Sequence, residues 1–336
     1  MVNNSSVQPY ISFVVAARND NYGGNFLHRM QVFVNALFAL CYDQELNAEL
    51  VIVEWNPPEE RSRLKDSLVW PKSMKSGAVH IIEVPAEIHH RLPNSDRIHL
   101  FEYIAKNVGI RRARGKYILA TNPDLLYSKK LIQFLATNRL SSGCFYRADR
   151  YDVISKVPLM EVKKQLAFCA RHVSKVNIRG GSIELSRRPL GLGRITLLLQ
   201  LYRHRFLSYR HRKLRLEDQL HTNTAGDFFL MHRNHWFDLH GYPELSTSSH
   251  IDGYMCAMAS SAGLKQFLLP GKMLSYHQEH ERAVDWKNIT ASSRPITSYH
   301  LWVKECKEML RLKRPKIFNN RDWGLAQENL REYMPE

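Results

Sequence analysis

Apolar runs of strand length alternate with segments of helical periodicity along the N-terminal part of the chain. The runs lie at residues 11–17, 50–53, 79–84 and 117–120, and they predict buried strands. Residues 26–40 have apolar side chains at helical spacing, and a second helix is predicted around residues 100–110. Strand, helix and strand in this order are typical of a parallel crossover unit. The pattern therefore predicts an α/β fold with a doubly wound sheet.

Polar residues stand where these runs end. Arg18 follows the first run, Glu54 and Asn56 follow the second, and Asn122 and Asp124 follow the fourth. In an open α/β sheet, ligands bind outside the carboxyl ends of the strands. A carboxylate there is a ligand for Mg²⁺ or Mn²⁺, which neutralises a nucleotide diphosphate. Two plainer interpretations stay open: a turn with a helix cap at Asn122 and Asp124, and a solvated loop acid at Glu54.

Around the fourth strand, Asn107, Gly109, Ala113 and Gly115 stand at the spacing of an Asn-x-Gly-x-x-x-Ala-x-Gly pattern, and Asp124 is at the second acidic position of an Asp-x-Asp motif. With these residues the segment resembles GT-A glycosyltransferases of the family 2 type, in which the Asp-x-Asp motif binds a metal. The resemblance implies a GT-A fold, a mixed sheet flanked by helices. It also implies a nucleoside-diphosphate sugar as donor and a divalent metal, Mn²⁺ or Mg²⁺, as cofactor.

The resemblance extends to the second half of the chain. Gly226 and Asp227 match the glycine loop that lies against the donor sugar and the acceptor. Asp252, near the start of a predicted helix, matches the general base, with Asp227 as the second candidate. His277 ends a predicted strand and matches a histidine that reaches the metal, with His280 as the alternative. A capping role for Asp252 and a structural role for the histidines stay open.

The donor is expected to contact Arg18, Glu54, Asn56, Asn107, Asn122 and Asp124, and the metal is expected to be held by Asp124 and His277. Two positions depart from the family pattern. Asn122 replaces the first acid of the metal motif, and Ile251 replaces one acid of the pair near the base. Metal affinity is therefore expected to be weaker, and Asn122→Asp to restore it. Trp55-Asn56 resembles exostosin-like transferases, which points to a retaining reaction as the alternative.

Length and composition predict the domain organisation and the cellular compartment. The chain has 336 residues, 44% of them hydrophobic, which suits one catalytic domain with an insertion. Five scattered cysteines indicate a reducing cytoplasm, and neither a signal peptide nor a membrane-spanning run is expected. The predicted units are a nucleotide-sugar half at 9–150, a basic helical insertion at 151–220, an acceptor-binding catalytic half at 221–290 and a C-terminal helical extension at 291–336.

The formal net charge of +16 requires an anionic partner. Residues 187–215 contain nine basic residues and no acid, and their apolar side chains recur at helical spacing. This pattern predicts a basic amphipathic helix that makes the protein peripheral at an anionic membrane surface. Packing of its apolar face on the domain is the alternative. Interleaved aromatic and basic residues at 202–212 also suit nucleic acid, which is the less favoured partner because no nucleic-acid-binding module is recognisable.

These features together predict a glycosyltransferase. It would move a sugar from a nucleoside-diphosphate sugar to a glycan or lipid-linked acceptor, with inversion and metal assistance, in surface polysaccharide biosynthesis. The alternative is a basic nucleic-acid-binding or membrane-surface protein with an inactive GT-A domain. A sugar nucleotidyltransferase is disfavoured, because residues 16–20 do not form a glycine-rich phosphate loop.

Overall fold

The computed structural model describes residues 8–72, 78–154, 156–185, 199, 202, 216–247, 249–280 and 297–335. Its strands are β1 Ile11–Ala17, β2 Ala48–Trp55, β3 Val79–Val84, β4 Tyr117–Thr121, β5 Leu125–Tyr127, β6 Cys144–Arg147, β7 Asp149–Val153, β8 Val173–Ile178, β9 Gly181–Glu184, β10 Phe228–His232, β11 Lys265–Leu268, β12 Leu274–Gln278 and β13 Arg331–Tyr333. Its helices are α1 Phe26–Asp43, α2 Leu64–Ser67, α3 Ala86–His89, α4 Glu102–Arg112, α5 Lys129–Ala136, α6 Val162–Arg171, α7 Leu216–Gln219, α8 Arg233–Asp238, α9 Ile251–Ser261 and α10 Tyr299–Leu312.

An eight-stranded mixed sheet forms the centre of the protein. Its strand order is β11-β6-β10-β4-β1-β2-β3-β13. Strands β3, β2, β1 and β4 are parallel neighbours, whereas β10 runs antiparallel to both β4 and β6. The carboxyl ends of the four parallel strands therefore lie at one edge, where ligands bind in open α/β sheets.

Helices cover both faces of this sheet, which explains why its central strands are continuous apolar runs. Along β1, Val14 joins the core cluster that includes α4, whereas Phe13 joins the cluster that includes α1. Helix α4 approaches the sheet closely at Gly109, where a Cβ atom would lie 2.5 Å from Val14 Cγ1. The predicted doubly wound α/β fold is confirmed, and the predicted strands and helices agree with the observed ones to within a few residues.

A second, five-stranded sheet has the order β5-β12-β7-β8-β9. Strand β5 follows β4 after the short turn that contains Asp124. Strand β12 pairs antiparallel with β5 and parallel with β7, so that His277 lies opposite Asp152. This sheet brings residues that are far apart in the sequence to the carboxyl end of β4.

The two predicted extensions contain more than helices. The range 151–220 includes α6, β8, β9 and α7, whereas most of the basic segment at 187–215 lies outside the described residues. Two described residues of that segment, Leu199 and Tyr202, are helical and are 62% and 73% exposed. The range 291–336 contains α10, which packs on α9, and also β13, which pairs with β3. Among the described residues, no helix is long and apolar enough to cross a membrane.

Candidate active site

A cleft of about 370 Å³ opens at the carboxyl ends of the parallel strands. Its walls come from the segment after β1, the start of α4, the turn between β4 and β5, the loop before β10, the start of α9 and the end of β12. Seven of the predicted site residues line it: Arg18, Asn122, Asp124, Gly226, Asp227, Asp252 and His277. The structure therefore gathers most of the predicted site around one cavity.

One end of the cleft holds a group of metal-ligand side chains. Ligand atoms of Asp124, His277 and His280 all lie within 4.8 Å of one another. Asp124 Oδ2 lies 3.6 Å from His277 Nε2 and 3.2 Å from His280 Nε2. Asp124 Oδ1 is buried and accepts no hydrogen bond from the described residues. A buried oxygen of this kind beside two imidazoles fits a divalent cation, and both predicted histidines belong to the group.

The pKa values of Asp124 and His277 are shifted because groups of opposite charge lie in close contact. Burial alone would raise the pKa of Asp124, but His277 and His280 hold the pKa well below the usual range. Burial alone would lower the pKa of His277, but Asp124 and Asp152 raise that pKa to about 9. In the absence of a metal, the two groups therefore form an ion pair at neutral pH. A bound metal would displace a proton from His277, because only an unprotonated imidazole nitrogen coordinates.

Asp152 lies behind His277 on the neighbouring strand. Its Oδ1 is 3.3 Å from His277 Nδ1, and its Oδ2 accepts hydrogen bonds from Asn177 at 3.0 Å and Arg150 at 3.2 Å. Burial opposes ionisation, but His277 and Arg150 lower the pKa of Asp152 to about 2. Arg150 also donates to Asp227 Oδ2 at 2.6 Å. Burial alone would lower the pKa of Arg150, but Asp227 and Asp152 raise it above its usual value. This pairing keeps the buried carboxylate of Asp152 ionised.

Asn122 lies in the turn between β4 and β5 and forms hydrogen bonds with two other segments of the chain. Its Oδ1 accepts a hydrogen bond from Lys106 Nζ at 2.6 Å, and its Nδ2 donates to Asp227 Oδ1 at 2.8 Å. Lys106 is fully buried, and it also donates to Glu102 and to the carbonyl oxygen of Gly226. A buried ammonium needs such acceptors to offset its desolvation. Asn122 thus lines the cleft as part of a charged network.

Asp252 forms the wall near the glycine loop. Its Oδ2 accepts from the Gly226 N–H at 2.8 Å, and its Oδ1 accepts from the Gly253 N–H at 2.9 Å. Its position in the first turn of α9 is confirmed, and the helix dipole favours a carboxylate there. Gly226 packs closely against Tyr103, since a Cβ at Gly226 would lie 2.5 Å from Tyr103 Oη. Asp252 and the glycine loop thus hold each other in place.

Three predicted donor residues do not line the cleft. Glu54 is buried, and both of its carboxylate oxygens accept from the N–H of Leu64 at the start of α2. Asn56 presents its backbone oxygen to Arg18 Nε at 2.7 Å. Asn107 is fully buried and exchanges hydrogen bonds with the backbone of Tyr242, which joins α4 to the segment before α9. Their contacts are structural in this conformation.

Sequence reasoning did not select Lys106, Arg150 or Asp152. Each is a charged side chain within a helix or strand, and each is nearly or fully buried. Charged residues are rarely buried without a partner, so burial of three of them beside one cleft marks a site. The sequence contains one weak signal, which is the alternation of Arg150 and Asp152 on the same face of a strand.

Comparisons with known proteins find solved structures that resemble this chain at low sequence identity. No protein-family model matches the chain, and no curated protein sequence matches it. The chain is similar to the catalytic domain of Drosophila β1,4-galactosyltransferase 7 in complex with xylobiose, with 12% identity and a TM-score of 0.40 over 93% of this chain and 82% of that one.

Two further solved structures are similar over most of this chain. GalNAc-T7 with UDP, GalNAc and Mn²⁺ has 12% identity and a TM-score of 0.45, and the match covers 82% of this chain and 45% of that one. S. aureus TarS has 11% identity and a TM-score of 0.42, covering 80% of this chain and 36% of that one. The chain thus spans less than half of either of these two proteins. With identities of 11–12% and TM-scores below 0.5, these similarities assign neither a family to the chain nor a role to any residue.

Proposed function

We propose that this protein is a glycosyltransferase that uses a nucleoside-diphosphate sugar and a divalent metal. The observation that supports this most strongly is the grouping of Asp124, His277 and His280 at one end of a cleft that Asp252 lines from another wall. The cleft lies at the carboxyl ends of parallel strands, which is where nucleotides bind in this class of fold.

Asp124, His277 and His280 would hold the metal. One carboxylate with two imidazoles suits Mn²⁺ better than Mg²⁺, because Mg²⁺ prefers an environment of oxygen ligands alone. When bound, the metal would neutralise the diphosphate and so stabilise the leaving group. The residues of the chain prepare this site by keeping Asp124 ionised between two histidines.

Asp252 would accept the proton of the acceptor hydroxyl as that oxygen attacks the anomeric carbon opposite the leaving diphosphate, so the reaction would be inverting. Two backbone N–H groups orient its carboxylate, and each oxygen keeps a lone pair for the acceptor. Gly226 would lie against the sugar. Asp227 is the weaker candidate for the base, because Arg150 and Asn122 already occupy both of its oxygens. A retaining reaction would leave Asp252 without this task.

The acceptor would be a glycan or a lipid-linked glycan, as in surface polysaccharide biosynthesis, and the protein would work at the inner face of the membrane. The basic segment at 187–215 supports this placement by its charge, and exposed Leu199 and Tyr202 supply apolar groups for an interface. Binding to anionic vesicles that weakens with added salt would support this proposal. No binding even at low salt would contradict it.

A thermal-shift experiment tests the donor and the metal together. UDP, GDP and an oligonucleotide are added separately, each with and without MnCl₂. We expect a nucleoside diphosphate with Mn²⁺ to raise the unfolding temperature, because a ligand at about 100 times its Kd adds roughly 2.7 kcal/mol of stability. Asp124→Ala should abolish the Mn²⁺-dependent part of the shift. Stabilisation by the oligonucleotide alone would instead favour the nucleic-acid-binding alternative.

A further inference from the structure

We propose that Asp152 is a positioning residue, which fixes the ring of His277 so that Nε2 is the atom offered to the metal. The inference rests on the proposed metal site and goes beyond it, because Asp152 is neither a ligand in that site nor part of the cleft wall.

The geometry defines which nitrogen of His277 carries a proton. Asp152 Oδ1 lies 3.3 Å from His277 Nδ1, and an ionised carboxylate can only accept hydrogen bonds. The negative charge beside Nδ1 favours the tautomer that carries its proton on Nδ1, which leaves the lone pair of the neutral ring on Nε2. That atom faces Asp124 Oδ2, at 3.6 Å. Carboxylate, histidine and metal in a line are a recurring arrangement that fixes the tautomer and raises the basicity of the ligand.

Asp152 is itself held firmly enough to act in this way. Its side chain is 4% exposed, and its Oδ2 accepts hydrogen bonds from Asn177 and Arg150. Its backbone oxygen accepts from Ser174 Oγ at 3.1 Å. The pairing of β7 with β12 sets Asp152 opposite His277, so the contact depends on sheet register rather than on a loop. A shift of one residue in either strand would break this contact. The pairing within the second sheet therefore positions Asp152 against a residue of the proposed metal site.

The main experiment measures Mn²⁺ affinity without any substrate, from the electron paramagnetic resonance signal of free Mn²⁺ during a titration. Asp152→Asn should raise the Kd for Mn²⁺ by 10- to 100-fold, since it removes the negative charge that lies beside the Nδ1 proton. Asn177→Ala is the matched control, because it removes a buried hydrogen bond from the same carboxylate and leaves the contact with His277. Its Kd should stay within about threefold of wild type, with unfolding temperatures recorded for both variants.

Asp124→Ala separates failure of the inference from failure of the metal site. If Asp124→Ala abolishes Mn²⁺ binding while Asp152→Asn binds like wild type, the metal site stands and the positioning role is wrong. If wild type binds Mn²⁺ no better than Asp124→Ala, both are wrong. An equal loss in Asp152→Asn and Asn177→Ala would mean that Asp152 supports the fold only.

A measurement on the wild-type protein covers the case in which Asp152→Asn does not fold. Nitrogen-15 NMR of histidine-labelled protein, loaded with diamagnetic Zn²⁺, reports the protonation of each ring nitrogen, and His277→Gln assigns the resonances. We expect a proton on Nδ1 and metal coordination at Nε2. A His277 ring with unprotonated Nδ1 would overturn the inference.

Discussion

Replacing Gly226 by alanine tests the contact that fixes the glycine loop in the cleft. The new Cβ would lie 2.5 Å from Tyr103 Oη, whereas the next atoms of that ring are 3.4 and 3.6 Å away, which are ordinary contact distances. A single atom therefore causes the overlap. Either the tyrosine or the loop must move by roughly 1 Å, and overpacking of this kind costs about 1–3 kcal/mol.

The loop cannot move without changing the site. The Gly226 N–H donates to Asp252, and the Gly226 carbonyl oxygen accepts from buried Lys106 at 2.8 Å. We therefore expect Gly226→Ala to lower the unfolding temperature by roughly 1–4 °C, because an unfolding entropy of about 2.1 cal/mol/K per residue over 336 residues gives about 1.4 °C per kcal/mol. We also expect turnover to fall, because the contact that orients the Asp252 carboxylate is displaced.

The assay is a double-mutant cycle followed by thermal unfolding. Tyr103→Phe removes the overlapping oxygen, so the double variant should regain most of the stability that Gly226→Ala loses, a coupling of about 1–2 kcal/mol. Gly143→Ala is the matched control, because a Cβ there would meet only Ser141 Oγ, at 3.7 Å. If the double variant is as unstable as Gly226→Ala alone, the Tyr103 contact does not explain the need for glycine.

Further predictions concern three acidic or amide side chains. Asp252→Asn should reduce turnover by roughly 10²- to 10⁴-fold in an assay of sugar transfer from donor to acceptor, while UDP binding is retained. Near-normal turnover of this variant, or retention of configuration at the anomeric carbon, would contradict the role of Asp252 as base. Burial raises the pKa of Glu54 to about 7. Between about pH 4.5 and 7 the folded state therefore keeps a proton that the unfolded chain releases, and the free energy of unfolding should fall by up to ~3 kcal/mol as the pH rises through this range. Glu54→Gln should flatten that profile in urea unfolding, and an unchanged slope would refute the assignment. Asn122→Asp should fail to tighten Mn²⁺ binding in a titration, contrary to the expectation from the sequence, since both polar atoms of the side chain are already engaged by Lys106 and Asp227.

The parallel strands could be predicted from the sequence because both of their faces are buried. Residues such as Phe13 and Val14 enter different core clusters, so the strands read as unbroken apolar runs. The Asn-x-Gly pattern also has a packing explanation. Gly109 lets α4 approach β1, and Asn107 joins α4 to the backbone of Tyr242. The pattern therefore pointed to the fold correctly, whereas a donor contact for Asn107 does not follow from it.

The direction of a side chain at a strand end could not be predicted. Glu54 is the last residue but one of β2, yet its carboxylate turns to the N–H of Leu64 in α2, a helix of one turn with no clear signal in the sequence. Asp152 was missed for a different reason. Its importance depends on lying opposite His277, and that register exists only after β12 has paired with β7.

The asparagine at the first position of the metal motif is explained by its neighbours. Asn122 accepts from the ammonium of Lys106 and donates to the carboxylate of Asp227, and an amide offers the acceptor and the donor on two separate atoms of one short side chain. An aspartate there would keep the contact with Lys106 but would place a second carboxylate against Asp227, whose two oxygens already serve Asn122 and Arg150. Loss of the first acid is therefore no evidence of a decayed site, because Asn122 joins Lys106 and Asp227 in a buried hydrogen-bond network.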